Sequence, residues 1–167
     1  MKRQNLVTLC RVAVLIALEL VLSRFLSLNT PTLRIGIGFL PIALCGILYG
    51  PYWSAAAWGI ADIMGTLVSG NAIFPPITLT YILMGAVFGL FLHGKNVRFF
   101  PNVIICTLIN TVLLSLGLNS YWLSLLQHAP YLPVMLSRLL QCAVLIVLYC
   151  ILIPLLQKLA PKLDHIE

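Results

Sequence analysis

Of 167 residues, 61% are hydrophobic and only 8% are charged, with a mean hydropathy of +1.06. Soluble domains carry about a quarter charged residues, so this chain cannot clothe a water-facing surface, and its exterior must face lipid. The formal net charge of +6 is no nucleic-acid footprint, because the ten basic residues are dispersed among apolar segments and form no stripe. The apolar segments run continuously instead of alternating with period two, which argues against a β-barrel. At about 20 apolar residues per span, the chain has room for five to seven helices in one domain covering residues 1–167.

Punctuation along the chain divides it into six spans. Span 1 is expected from Leu6 to Leu28, ending at Asn29-Thr30-Pro31-Thr32. Met1-Lys2-Arg3 leads into an apolar run too long for a cleavable signal and without a clear small-residue cleavage site, so this helix is expected to be retained. Span 2 runs from Ile35 to Leu48 and closes on Tyr49-Gly50-Pro51, a turn signal. It is only about 21 Å long at the rise of an α-helix, carries Pro41, and is expected to need protein neighbours on most sides. Span 3 runs from Tyr52 to Val68 and ends at Ser69-Gly70-Asn71. Pro75-Pro76 opens span 4, which reaches His93; proline suits a first helical turn. Span 5 covers Phe99 to Leu118, a longer connection is expected from Asn119 to Pro130, and span 6 covers Tyr131 to Leu156. No internal repeat is visible, which argues against inverted-repeat transporter architectures.

The positive-inside rule orients the bundle. With the N-terminus inside, Lys2, Arg3, Arg11, Lys95, Arg98, Lys158 and Lys162 fall on the inner side, leaving Arg24, Arg34 and Arg138 outside within or beside helices. The expectation is an all-α integral membrane protein, a bundle of six transmembrane helices with both ends cytoplasmic.

Ionisable groups inside spans are the informative residues, because each costs about 2.5–3.5 kcal/mol at the centre of an inserting helix. Glu19, Asp62 and Arg138 qualify. Counting helical rise, Asp62 lies about 15 Å from the inner end of its span and Arg138 about 11 Å from the outer end of its own. Glu19 falls at a similar level, so all three share one depth at or above the midplane, and Arg34 lies above them. One reading is a structural ion pair between Arg138 and Asp62 or Glu19. The other is an outward-facing pocket for a polar small molecule. Asp62 has Trp58 one turn below and Thr66 one turn above. A carboxylate beside an aromatic ring suits a flat, nitrogen-rich heterocycle, accepting paired N–H bonds while the ring stacks. Trp58 alone also fits ordinary core packing. The uncharged outer loops, with Asn71 in one and Tyr121 and Trp122 in the other, fit a pocket cap; Tyr121 and Trp122 fit an interfacial aromatic belt equally well.

The absences are as informative. No GxxxxGK[ST] loop cradles nucleotide phosphates, so the chain is not its own ATPase. No HExxH, paired catalytic carboxylates or GxSxG elbow appears, and an enzyme is a poor fit. His93, His128 and His165 have no ligand partner at useful spacing, and Cys10, Cys45, Cys106, Cys142 and Cys150 lie apart in apolar stretches. No metal or cofactor is implied.

The block Leu33-Arg34-Ile35-Gly36-Ile37-Gly38-Phe39-Leu40-Pro41-Ile42-Ala43-Leu44, followed by Gly46-Ile47-Leu48-Tyr49-Gly50-Pro51, resembles the substrate-binding S components of energy-coupling-factor vitamin importers. So does Ala61-Asp62-Ile63-Met64-Gly65, a match to the A-D-x-x-G segment of span 3. Phe74-Pro75-Pro76-Ile77-Thr78-Leu79-Thr80, with Gly85 and Gly89 downstream, is similar to the F-P-G-F-T-L-S segment of folate-type members, with Pro76 where glycine is usual. The resemblance implies a subunit that binds a vitamin from outside and delivers it with a transmembrane coupling protein and two ATP-binding-cassette ATPases. It implies folate first, with riboflavin, pantothenate or another vitamin as alternatives. Asp62 would then read a pterin edge, Arg34 or Arg138 would pair with the glutamate carboxylates, and Ala13 and Ala17 would form the small-residue step where the coupling protein docks. The rival reading is a non-transport membrane scaffold whose buried charges only pack helices.

Overall fold

In the computed structural model, residues 2–25, 28–29, 34–70, 72–94, 100–128 and 130–164 are described. The basic Lys95 and Arg98 of the fourth connection, and Asn71 of the third, lie outside them. The described helices form an all-α bundle of six rods.

Helix α1 spans Lys2–Phe25. Leu6, Leu9, Val14, Leu18 and Val21 are exposed along it, as a lipid-facing stripe must be, while Val12 and Glu19 are buried. The expected span to Leu28 is corrected: the helix ends at Phe25, and Leu28–Asn29 (β1) pairs antiparallel with Arg34–Ile35 (β2). Pro31 disfavours helical backbone in the residue before it, and the ladder satisfies backbone groups that a frayed helix end would leave bare.

Helix α2, Phe39–Tyr49, starts four residues later than expected. Gly36-Ile37-Gly38 delays it, and a Cβ at Gly38 would lie 3.0 Å from Ser23 Cβ on α1. At eleven residues it is about 16 Å long and cannot cross a hydrocarbon core of about 30 Å unaided. It survives by burial: Ile42, Ala43 and Cys45 are inaccessible, enclosed by its neighbours. Gly50, with φ of 87°, makes the turn into α3, and Pro51 opens the new helix.

Helices α3 (Pro51–Val68) and α4 (Pro75–Leu92) are the most intimately packed pair. Glycine makes the approach. A Cβ at Gly85 would stand 2.5 Å from the Ser54 carbonyl oxygen, and one at Gly89 would collide with the Pro51 backbone. On the other side, a Cβ at Gly46 would stand 3.0 Å from the Gly89 nitrogen. Close backbone approach is how membrane helices gain contact energy where lipid removes the hydrophobic driving force.

The fifth rod is continuous from residue 100 to 127. It comprises α5 (Phe100–Leu108), a π-helical stretch (Ile109–Asn119) and α6 (Ser120–Gln127). The expected long connection from Asn119 is therefore corrected: the helix runs on to Gln127 and ends with His128 in the left-handed conformation, φ 49°. Asn119 and Ser120, which look like loop residues, are buried against the bundle. Helix α7, Tyr131–Asp164, extends eight residues past the expected end. Among the described residues, four helices are long and apolar enough to cross a membrane: Leu6–Ser23, Pro75–Leu92, Pro101–Gln127 and Tyr131–Lys158. The short α2 and the Asp62-bearing α3 are not among those four.

An aromatic cluster ties the rods together. Trp58 stacks on Phe88 at 5.5 Å between centroids and 13° between planes, and Tyr149 packs on Phe39 at 4.1 Å and on Phe88 at 5.7 Å.

Candidate functional site

A partly open cavity of about 110 Å³ lies at one end of the bundle. It is lined by the last turns of α1, the segment before α2, the start of α2, the middle turns of α3 and α4, the π-helical stretch and α7 from Arg138 to Tyr149. The end of α1 and the start of α2 place its mouth on the side that the positive-inside reading puts outside.

The acidic wall comes from α1 and α3. Glu19 is 8% exposed, and Asp62 is half-buried. Trp58, Ala61 and Asp62 fall on one face because positions three and four apart adjoin on a helix, and all three line the cavity. The first turn of α4 fixes Asp62: Thr78 Oγ1 donates to Asp62 Oδ2 at 2.8 Å. Pro75-Pro76 sets this turn, needing no N–H at positions where a helix has none to pair. Tyr81, with its ring 5.7 Å from that of Trp58, and Met84 complete an aromatic and sulfur-lined side.

The basic wall comes from the fifth rod and α7. Arg138 is 5% exposed. Its Nη1 donates to Ser120 Oγ at 3.3 Å and its Nη2 to Ser115 Oγ at 3.4 Å. Residues five apart point to different sides of an α-helix; the wider π winding, with i→i+5 hydrogen bonds, brings Ser115 and Ser120 to the same guanidinium. Ser120 Oγ also donates to the Ser115 carbonyl at 3.4 Å. Thr111, Ser115 and Asn119 descend the π stretch at intervals of four, and Gln141, Leu145 and Tyr149 descend α7 opposite them.

The structure brings Glu19, Trp58, Asp62 and Arg138 to one cavity, at the common depth that counting helical rise places the three charges. Thr66 is half-buried and does not line it. Tyr121 is 50% exposed and packs with Trp122 at 5.2 Å and Tyr131 at 6.4 Å, away from the lining. Arg34 has its backbone in β2, but its side chain, like Asn71, lies outside the described residues. Ala13 and Ala17 are exposed on α1. The polar stripe Thr111-Ser115-Asn119 with Gln141, and the ring of Tyr81, are lining residues that sequence reasoning missed. A signal existed for the stripe: hydrogen-bonding side chains four apart inside an apolar span are costly unless they face a cavity.

The profile described as "ECF transporter, substrate-specific component" matches residues 7–157. The folate transporter FolT of Clostridium novyi (strain NT) is 32% identical over 165 residues, covering 98% of this chain and 94% of that protein. FolT of Leuconostoc mesenteroides subsp. mesenteroides is 31% identical over 122 residues, 71% of this chain and 64% of its own length. Among solved structures, FolT bound with folic acid superposes with a TM-score of 0.79 at 32% identity, over 86% of this chain and 87% of that one. The biotin S component of an ECF-type transporter shares the fold, with a TM-score of 0.69 at 18% identity over 100% of this chain and 95% of that one. On a match that runs from residue 7 to residue 157, this chain belongs to the substrate-specific components of ECF transporters.

Proposed function

We propose that this chain is the folate-binding subunit of an ATP-driven vitamin importer. The observation that carries this reading is a cavity with a carboxylate held beside an aromatic wall and an arginine opposite, in a chain 32% identical to FolT crystallised with folic acid. Asp62 accepts from the amino-pyrimidine edge of the pterin, its second oxygen steadied by Thr78. Trp58 and Tyr81 form the aromatic wall for the flat ring. Arg138, or Arg34 from the outer loop, pairs with the glutamate carboxylates, where a planar fork of donors matches a carboxylate better than a lysine would. The chain acts as a single six-span domain of the plasma membrane with both ends in the cytoplasm. It has no catalytic role. Its energy comes from a transmembrane coupling protein and two ATPases, which dock along the face of α1 that carries Ala13 and Ala17.

A calorimetric screen of the purified chain against folate, riboflavin, pantothenate and biotin tests this reading. Saturable binding of folate in preference to the other three is the expected result. Saturable binding of one of the other three in place of folate would move the assignment to that vitamin, and failure to bind any of the four would overturn the folate reading.

A further inference from the structure

In the part of the fifth rod that carries the lining residue Thr111, three buried side-chain oxygen atoms have no hydrogen-bond partner among the described residues: Thr107 Oγ1, Asn110 Oδ1 and Thr111 Oγ1. Their residues are 0%, 1% and 1% exposed. Threonine in a helix ordinarily discharges its hydroxyl onto the carbonyl four residues back, as Thr80 does here onto Pro76 at 3.0 Å. Thr107 and Thr111 do not. The Thr111 carbonyl is engaged by the Cys142 thiol at 3.6 Å, and the Asn110 amide is turned towards Cys106 Sγ at 3.8 Å, which aims its oxygen elsewhere. Leaving three such groups dry is expensive, and the three belong to one turn: Thr107 and Thr111 are four apart, Asn110 between them. Side chains four apart on a helix have Cβ atoms about 5–6 Å from each other, a spacing that one water molecule bridges.

We infer that Thr107, Asn110 and Thr111 form a binding site for a structural water, and that this water makes Thr111 a hydrogen-bond donor to the ligand. Thr107 is fully buried and does not line the cavity, so its hydroxyl hydrogen is the one that must be satisfied internally. The Thr107 hydroxyl donates to the water oxygen, and the water donates one hydrogen to Asn110 Oδ1 and the other to Thr111 Oγ1. With its oxygen accepting from below, the Thr111 hydroxyl hydrogen turns into the cavity that Thr111 lines. A ligand with an acceptor at that level, a ring carbonyl or an unprotonated ring nitrogen, is selected over one with a donor there. Thr107, which does not line the cavity, is a positioning residue acting through the water. The role in ligand choice rests on the folate reading; the water itself does not.

A double-mutant cycle tests it. Thr→Val keeps shape and removes the oxygen. In ligand-free protein, Thr107→Val and Thr111→Val should each lower the melting temperature, and the double variant should fall no further than the worse single, because both lose the same water. Thr107→Ser, which keeps the oxygen, should behave as wild type. In folate titrations, Thr107→Val should weaken binding about three- to tenfold and should have no further effect in the Thr111→Val background. Melting temperatures that rise in both single variants, or that fall additively, overturn the site. Should Thr107→Val not fold, a high-resolution crystal structure decides: a solvent peak within hydrogen-bond distance of both hydroxyls supports the site, and a dry gap overturns it. If wild type binds no folate, the folate reading fails while the melting cycle still decides the water.

Discussion

The two halves of the bundle are built on opposite principles. On one side, α2, α3 and α4 meet through glycine, with the backbone of Gly89 against Pro51 and that of Gly85 against Ser54, and with Ile42 and Phe88 fully enclosed. On the other, the fifth rod and α7 meet through hydrogen-bonding side chains: Thr111, Ser115, Asn119 and Ser120 face Arg138 and Gln141, and the backbone widens into a π-helix where they do so. The first half has no space to yield. The second trades regular winding for side-chain placement, since the π winding lets Ser115 and Ser120 serve one guanidinium. The cavity lies between a close-packed half and a polar half, and the contrast suggests a scaffold on one side and a recognition wall on the other.

The largest effect should come from breaking the close-packed side. Gly89→Val drives a side chain into the Pro51 backbone, and the expected outcome is loss of folded protein, read by size-exclusion and melting in detergent. Gly117, in the π stretch, is the counterpart: a Cβ there would meet only the Val112 carbonyl oxygen at 3.6 Å. Gly117→Ala should be neutral or stabilising by about 0.4–1 kcal/mol, through a less flexible unfolded chain. Equal damage at both positions would erase the distinction between the halves.

A second test separates the cavity from the exposed face of α1. Ala13→Trp with Ala17→Trp adds bulk where both residues are exposed. Folate binding by the isolated subunit should stay near wild type, while uptake and co-purification with the coupling protein fall to background. Retained uptake would remove α1 from the docking interface. Loss of binding together with uptake would mean that these alanines pack the bundle itself.

Smaller effects should sharpen the recognition wall. Arg138→Lys keeps the charge but loses the fork that reaches Ser115 and Ser120. A folate affinity about tenfold weaker is expected, matching the loss of about 1.4 kcal/mol, with little change in expression. Arg34→Ala should act further out and weaken folate more than a pterin fragment that lacks the glutamate tail, in paired titrations. Equal losses for the two ligands would contradict a carboxylate clamp.

Much of this was legible because helical rise is constant. Counting residues is enough to place Glu19, Asp62 and Arg138 at one depth, and the cavity joins them there. Gly50-Pro51 and Pro75-Pro76 marked helix boundaries because their local chemistry leaves few alternatives. What escaped depends on neighbours. Asn119 and Ser120 read as loop because both are polar, yet burial beside Arg138 keeps them helical. The π winding has no local sequence signature; what it achieves, Ser115 and Ser120 on one guanidinium, depends on another helix. The β1–β2 ladder is two residues per strand, below the length at which alternation can be read. Thr78 was visible as part of a motif, but its role as the partner of Asp62 requires α3 and α4 to be side by side.

The folate reading stands on recognition of the pterin by the Asp62 carboxylate, which Thr78 holds. Calorimetric titration of folate into wild type and Asp62→Asn tests it most directly. The substitution removes a charge-assisted contact of about 1.5–3 kcal/mol, so affinity should fall by more than about tenfold while the variant inserts and melts like wild type. Unchanged folate affinity in Asp62→Asn would contradict the account, reducing Asp62 to a packing residue.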